Sequence, residues 1–243
     1  MEIKNFGSLY LDGQPSELNA VYGGGAISLG DTVPEAAIPF VKWKDLWVAG
    51  KVVCLNASWD DLNKHNFIAG CPVKIDEVPY LCRSIKVGEE NDGPNEWNSI
   101  LDDLGEDDNL WHWRGHFFWG QEPPKRQASH RTVRGFYSAR FWGSNPTVYR
   151  NTLIGFRPVL EPLPQVPTIS DSLVGSRLTV YGATADISGR LIDFSDYDLS
   201  LELPTEAVSR AISAQVLRAN SWLADGRRMT IDRSAIVWMK KID

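Results

Sequence analysis

The chain is poor in the residues that build covalent or metal-held frameworks. It carries 3 cysteines in 243 residues, Cys54, Cys71 and Cys82, none in a CxxC spacing. An odd count without that spacing points to neither a disulfide framework nor a zinc knuckle. It reads instead as buried thiols acting as small hydrophobes in a cytosolic setting. No apolar run reaches membrane-spanning length, and the opening MEIKNFGSLYLDG has no cleavable signal pattern. Positive charge is also in deficit. The net charge of -6 speaks against bulk attraction to a nucleic-acid backbone or an anionic membrane.

Catalytic and metal-ligating patterns are equally scarce. His112 and His116 stand four apart, but no Glu sits between them in the metalloprotease position. The alternation around them, through Trp111, Trp113 and Phe117-Phe118-Trp119, reads as strand, so a hydrogen-bonded histidine pair beside tryptophans is expected. Asp60-Asp61 and Asp102-Asp103 are adjacent carboxylates on helix surfaces, a spacing unsuited to acid–base work. Glu106-Asp107-Asp108-Asn109 lacks the alternating ligands and terminal Glu of a calcium loop and reads as a solvated turn. The expectation is a chain with no catalytic residue, no metal site and no cofactor.

Aromatic residues are what the chain has in abundance. Of its 10 tryptophans, Trp97, Trp111, Trp113, Trp119 and Trp142 crowd the middle third. With 43% hydrophobic and 23% charged residues the composition is that of a globular protein, which excludes wholesale disorder. The stretch Arg131–Pro162 opens on Arg134-Gly135 and closes on Gly155-Phe156-Arg157-Pro158-Val159-Leu160. Between those ends, Phe136, Tyr137, Phe141, Trp142 and Tyr149 alternate with small polar residues including Asn145 and Asn151. Large flat side chains beside small adaptable ones offer contact area at low entropic cost, which is the chemistry of a binding surface. A strand pair lending aromatics to a core would read the same way from spacing alone.

Elsewhere the pattern supports a local reading of the elements. Residues 1–40 are punctuated by Gly23-Gly24-Gly25, Gly30 and three prolines, which excludes a long helix and suggests a loop or assembly arm. Trp43–Val53 is echoed by Trp59–Val73, each copy reading as short helix, glycine stop and strand. Val73–Arg83 reads as a hairpin turning at Asp76-Glu77. Asn95 and Gly105 bracket a helix whose Trp97, Ile100, Leu101 and Leu104 share one face. Pro162–Pro167 marks a boundary, with domains at 1–162 and 169–243 joined by a linker at 163–168. Beyond it, Arg177–Tyr181, Ile187–Phe194, Asp198–Leu203 and Met229–Ile242 read as strands and Thr205–Ala224 as a helix.

RG-x-x-SAR-x-W followed by GFRPVL, with Pro94-Asn95-Glu96-Trp97, Trp111-His112-Trp113 and Trp119-Gly120-Gln121-Glu122 upstream, resembles the core of the formylglycine-generating-enzyme type of C-type-lectin fold in its phage and prophage members. The resemblance implies an α+β domain whose loops present Phe136, Tyr137, Phe141, Trp142, Asn145, Tyr149 and Asn151 to a protein or carbohydrate ligand of a host cell. It also implies a virion-associated or host-cytoplasmic protein, of the kind that retroelements diversify between such motifs. The superfamily's oxidases carry a copper-binding thiol pair near the C-terminal core, whereas this chain has no cysteine after Cys82.

The last third has its own resemblance. Gly189–Leu201 is similar to the first motif of Sm-like and Hfq-like barrels, and Asp232–Val237 to their second. This implies a small Sm-like barrel with an inserted helix. Asp198 stands where Sm proteins place a base-contacting Asn, Ser195 replaces an Asp, and the Lys-His of the Hfq pocket is missing. Residues 163–243 hold 9 Lys and Arg against 10 Asp and Glu, a net of -1. The resemblance therefore implies homo-oligomeric ring or strand-edge assembly more than RNA binding.

Overall fold

The computed structural model describes residues 1–91, 93–164, 168–182, 186–205, 221–224 (backbone alone) and 226–242. Contacts divide the chain into Met1–Leu163 and Pro164–Asp243. The fold is mostly β, with a sheet curled into a half-barrel. Among the described residues no helix is long and apolar enough to cross a membrane.

The first unit runs β1 (Ile3–Leu11), β2 (Gln14–Pro15), β3 (Ile27–Gly30), β4 (Ala37–Trp43), β5 (Leu46–Ala49), α1 (Trp59–Lys64), β6 (Cys71–Ile75), β7 (Val78–Ser84), α2 (Glu96–Leu104), α3 (Asp108–Trp111), β8 (Phe117–Trp119), β9 (His130–Gly135), β10 (Ser138–Pro146), β11 (Ile154–Gly155) and β12 (Pro158–Pro162). One sheet orders its strands β2-β1-β4-β5-β12-β7-β6, with β3 on β1, and a second orders them β10-β9-β8-β11. The central strands of the larger sheet are buried on both faces. Phe40, Trp47 and Leu160 enter one core with Phe6, Leu9 and Ile38, while Val41, Val48 and Val159 enter another. That second core is completed by Trp97, Ile100 and Leu101 of α2 and Trp111 of α3.

Several local expectations meet their elements. Asn95 caps α2 by accepting from the Asn98 N–H at 2.8 Å, and Gly105 ends it at φ 82. Asp76 and Glu77 form the hairpin turn with φ of 48 and 68, the paired left-handed conformations that match strand twist. Others are corrected. Residues 1–40 are no loose arm: β1, β3 and β4 bury Phe6, Leu9, Ile27, Leu29 and Ile38, because Gly7 is absorbed as a register shift within β1 and Pro39 pairs within β4, leaving the apolar residues facing the core. The first echo copy is a β-turn at Lys44, φ 52, joining β4 to β5; only the second copy starts a helix, because Ser58 and Asp61 form a capping box there. The histidine pair does not form, since His112 is exposed in a left-handed turn and His116 lies part-buried below it.

The second unit holds β13 (Arg177–Tyr181), β14 (Asp186–Phe194), β15 (Asp198–Glu202), β16 (Ser221–Ala224), β17 (Arg228–Asp232) and β18 (Trp238–Ile242) in the order β16-β17-β15-β14-β13-β18. Its core is Leu178, Val180, Leu191, Leu199, Leu201, Leu203 and Ile231. The single strand expected over Met229–Ile242 is two, parted by a 3₁₀ turn at Arg233–Ala235 that Asp232 caps. Of the helix expected over Thr205–Ala224, residues 206–220 lie outside the described residues, and Ser221–Ala224 is strand paired to β17.

Candidate binding site

Two glycines and two arginines hold the ends of the aromatic stretch. Gly135 has φ 98, and a Cβ there would stand 2.5 Å from the His116 carbonyl; one on Gly155 would stand 2.6 Å from the Val53 carbonyl. Only glycine lets these backbones approach so closely. Beside them, Arg134 and Arg157 are fully buried. Arg134 donates to the carbonyls of Arg140 at 2.9 Å and Val87 at 2.8 Å. Arg157 donates to Ala49 at 2.6 Å and Trp111 at 2.7 Å, and lies 4.6 Å from the centre of the Phe118 ring and 5.2 Å from that of Trp97. Burial pushes the Arg157 guanidinium down to about 9, so it is still charged at pH 7. Burial, and then the Arg157 charge, lower His116 as well.

The strand pairing makes the site. β10 pairs with β9 at Ser138↔Gly135, then resumes at Trp142↔Arg134, so Ala139, Arg140 and Phe141 are accommodated in a bulge. Each goes a different way. Ala139 enters the core, Arg140 bonds Glu106 and Asp102, and Phe141 joins a ring cluster. Phe117 of β8 stacks on Phe136 at 4.8 Å and 11°, and Tyr137 packs edge-on to Phe136 and Phe141. Phe136 takes φ 71, a strained conformation for an aromatic residue, held by its N–H to Trp113 at 2.8 Å and its carbonyl to Gly115 at 3.1 Å.

These rings wall a cavity of about 430 Å³. Phe136, Tyr137, Phe141, Asn145, Tyr149 and Asn151 line it, with Phe117, Gly143 and Leu153. Tyr137 is 68% exposed, and neighbouring Val148 and Leu153 also reach solvent. Among the described residues no Asp, Glu, His, Lys or Arg contributes to the lining. Asn151 is committed to its own loop, accepting from the Leu153 N–H at 2.8 Å and donating to the Tyr149 hydroxyl at 3.1 Å. Asn145 makes no side-chain hydrogen bond among the described residues, so its carboxamide is open to a ligand. Gly143 keeps the floor low, since a Cβ there would meet the Phe141 ring at 3.2 Å.

The loop bearing Tyr149 and Asn151 is tethered. Arg150 grips both oxygens of Asp61 at 2.9 and 2.6 Å, and the Thr147 hydroxyl donates to Asp60 at 3.1 Å. The adjacent carboxylates thus anchor the binding loop to the start of α1. Burial alone would raise Asp61; the bonds from Arg150 and Ser58 outweigh it and hold the carboxyl below its usual range.

Comparison of the chain with protein-family models, curated proteins and solved structures found no match. The site therefore rests on its own geometry. That geometry separates Trp142 from the other six residues expected there. Successive residues of a strand face opposite sides, so Trp142 lines a different cleft of about 900 Å³ with Glu89, Glu90, Lys125, Arg126 and Gln127. Phe117 was not among the expected residues; it is part-buried beside fully buried Phe118 and Trp119, and nothing in that aromatic run singles it out. Among the described residues no three His, Cys, Asp or Glu side chains gather to hold a metal.

Proposed function

We propose that this chain is a non-enzymatic binding protein that takes a protein or carbohydrate ligand of a host cell into the aromatic cavity between Gly135 and Gly155. The observation that carries this reading is the chemistry of the lining. Solvent-reaching rings and neutral amides surround a preformed space, and among the described residues no carboxylate, imidazole or cation lines it. Such a wall desolvates readily and, the tyrosine hydroxyls aside, offers no group suited to moving a proton.

The frame we assign to it is a formylglycine-generating-enzyme-like C-type-lectin domain of the phage type, diversified by a retroelement between the two motifs. In support, the motif residues Arg134, Gly135, Gly155 and Arg157 are all committed to packing, whereas Phe136, Tyr137, Phe141, Trp142, Asn145, Tyr149 and Asn151 between them line the cavities. We assign the second unit to a small Sm-like barrel. Its last strand, β18, lies beside its first, β13, and a Cβ on Gly189 of β14 would stand 2.9 Å from the Glu202 carbonyl, so the chain passes closely there. Its part would be assembly of copies.

The test is capture of host-lysate components by the wild type, Tyr137→Ala and Tyr149→Ala, with thermal melting alongside. Intact melting with lost capture supports the reading; unchanged capture by both variants refutes it. A near-copy of the DNA encoding Arg131–Leu160 beside a reverse-transcriptase gene would establish the diversification.

A further inference from the structure

Resting on that reading, we infer that the ligand includes an extended polypeptide segment, which adds as a strand to the open edge of β10. Among the described residues, β10 is terminal in the smaller sheet and pairs with β9 alone. Antiparallel partners that do not bond each other turn their backbone groups outward. Thr132 of β9 uses its N–H on the Glu122 carbonyl at 3.0 Å and its carbonyl on the Gly120 N–H at 2.9 Å, both away from β10. Its register partner Ser144 therefore aims its own N–H and carbonyl at the open side. Arg134, which faces Phe118 of β8, places its partner Trp142 the same way. The bulge closes one end of this edge, and at the other the Pro146 carbonyl is taken by the Tyr149 N–H at 2.9 Å. A window of two outward residues remains between them.

The lining on each side of that window fits a strand. Phe141, Gly143 and Asn145 face the uncharged aromatic cavity; Trp142 faces the cleft with Glu89, Glu90, Lys125 and Arg126; Ser144 borders both. A strand paired to this edge sends its side chains alternately to the two faces, with each cross-strand neighbour within side-chain reach. The residue opposite Gly143 would lean over the cavity, where a charge would find no counter-charge. Its neighbours would meet a cleft carrying both signs. The fitting partner is a segment with an aromatic or large aliphatic residue flanked by polar or charged ones. Main-chain bonds would supply affinity and the alternating pockets the selectivity.

The test uses displayed nine-residue peptides panned on the whole chain, followed by Ser144→Pro. Proline at this position removes the outward N–H, which the β9 ladder does not use, together with the exposed hydroxyl bond to Gln127, so melting should be retained, and Ser144→Ala, which loses the hydroxyl bond alone, should keep its affinity. Enriched peptides should carry a large apolar residue between polar ones, lose at least tenfold in affinity on Ser144→Pro, and lose it again when one alternate set of their backbone amides is N-methylated. Failure to enrich any peptide overturns the inference, as does affinity that survives both Ser144→Pro and N-methylation. Loss on Tyr137→Ala without loss on Ser144→Pro refutes the edge while keeping the cavity; the reverse pattern refutes the cavity reading and keeps the edge. Sedimentation of the chain alone gives the remaining outcome: self-association abolished by Ser144→Pro would make a second copy the occupant and overturn the inference.

Discussion

Replacing Arg157 separates the two opposed effects of burying a guanidinium. The side chain is wholly inside the first unit and bonds two carbonyls there, those of Ala49 and Trp111. Left without a partner, each carbonyl costs about 1–3 kcal/mol, so removing the donor should cost about 4 kcal/mol in all. Against this, a guanidinium brought from 12.5 to about 9 corresponds to at most roughly 5 kcal/mol working against the charged form. A side chain of similar length without the charge escapes that penalty while losing the bonds, so Arg157→Met should fall within about 2 kcal/mol of the wild type. Arg157→Ala escapes it too but leaves a void under Trp97 and Phe118, and truncations of this kind cost about 2–5 kcal/mol more. The expected order is wild type near Met, with Ala about 3–5 kcal/mol lower. Urea unfolding followed by tryptophan emission measures this, because Trp97 and Trp111 lie against the site. Met as damaging as Ala would mean that the bonds far outweigh desolvation; Ala within about 1 kcal/mol of wild type would refute the structural role altogether.

Other perturbations follow from close contacts and from titration. Gly155→Ala forces a Cβ to 2.6 Å from backbone and should destabilise by about 3 kcal/mol, while Gly143→Ala meets only a movable ring and should weaken binding with little change in melting. Paired urea curves and peptide titrations distinguish the two, and equal destabilisation would refute the contrast. Asp61 is held below its usual range in the folded chain, so its contribution is fully present above the ordinary carboxylate value of about 4 and is lost as pH falls through the depressed one. The gap in melting temperature between wild type and Asp61→Asn should therefore close toward low pH; a constant gap would exclude this linkage. Burial pushes Cys54 and Cys71 up to about 12 and raises Cys82 well above its usual value. At pH 8 the thiolate of Cys71 should be about 1,000-fold scarcer than in a free thiol, so alkylation should wait for unfolding, and rapid labelling of the folded chain would refute that.

Local chemistry decided what was readable in the residues alone. Asn95 and Gly105 mark α2 because a cap and a left-handed terminator act within one turn, and Arg177–Tyr181 emerges because a strand's alternation is intrinsic to its run. The aromatic character of the site was equally plain between Gly135 and Gly155. What the residues could not announce were consequences of register and long-range packing. Which face each ring takes depends on a bulge that only the pairing of β10 with β9 reveals, so Trp142 parts from Phe141 and Phe117 joins it from β8. Residues 1–40 read as an arm until β1 and β4 pair, because glycine and proline weigh on local preference while the burial of Phe6 and Ile38 is a tertiary gain. Residue type alone does not place Arg134 and Arg157 in the interior. They lie inside because the carbonyls that need donors, those of Val87, Ala49 and Trp111, are brought to them from distant segments by the folded chain alone.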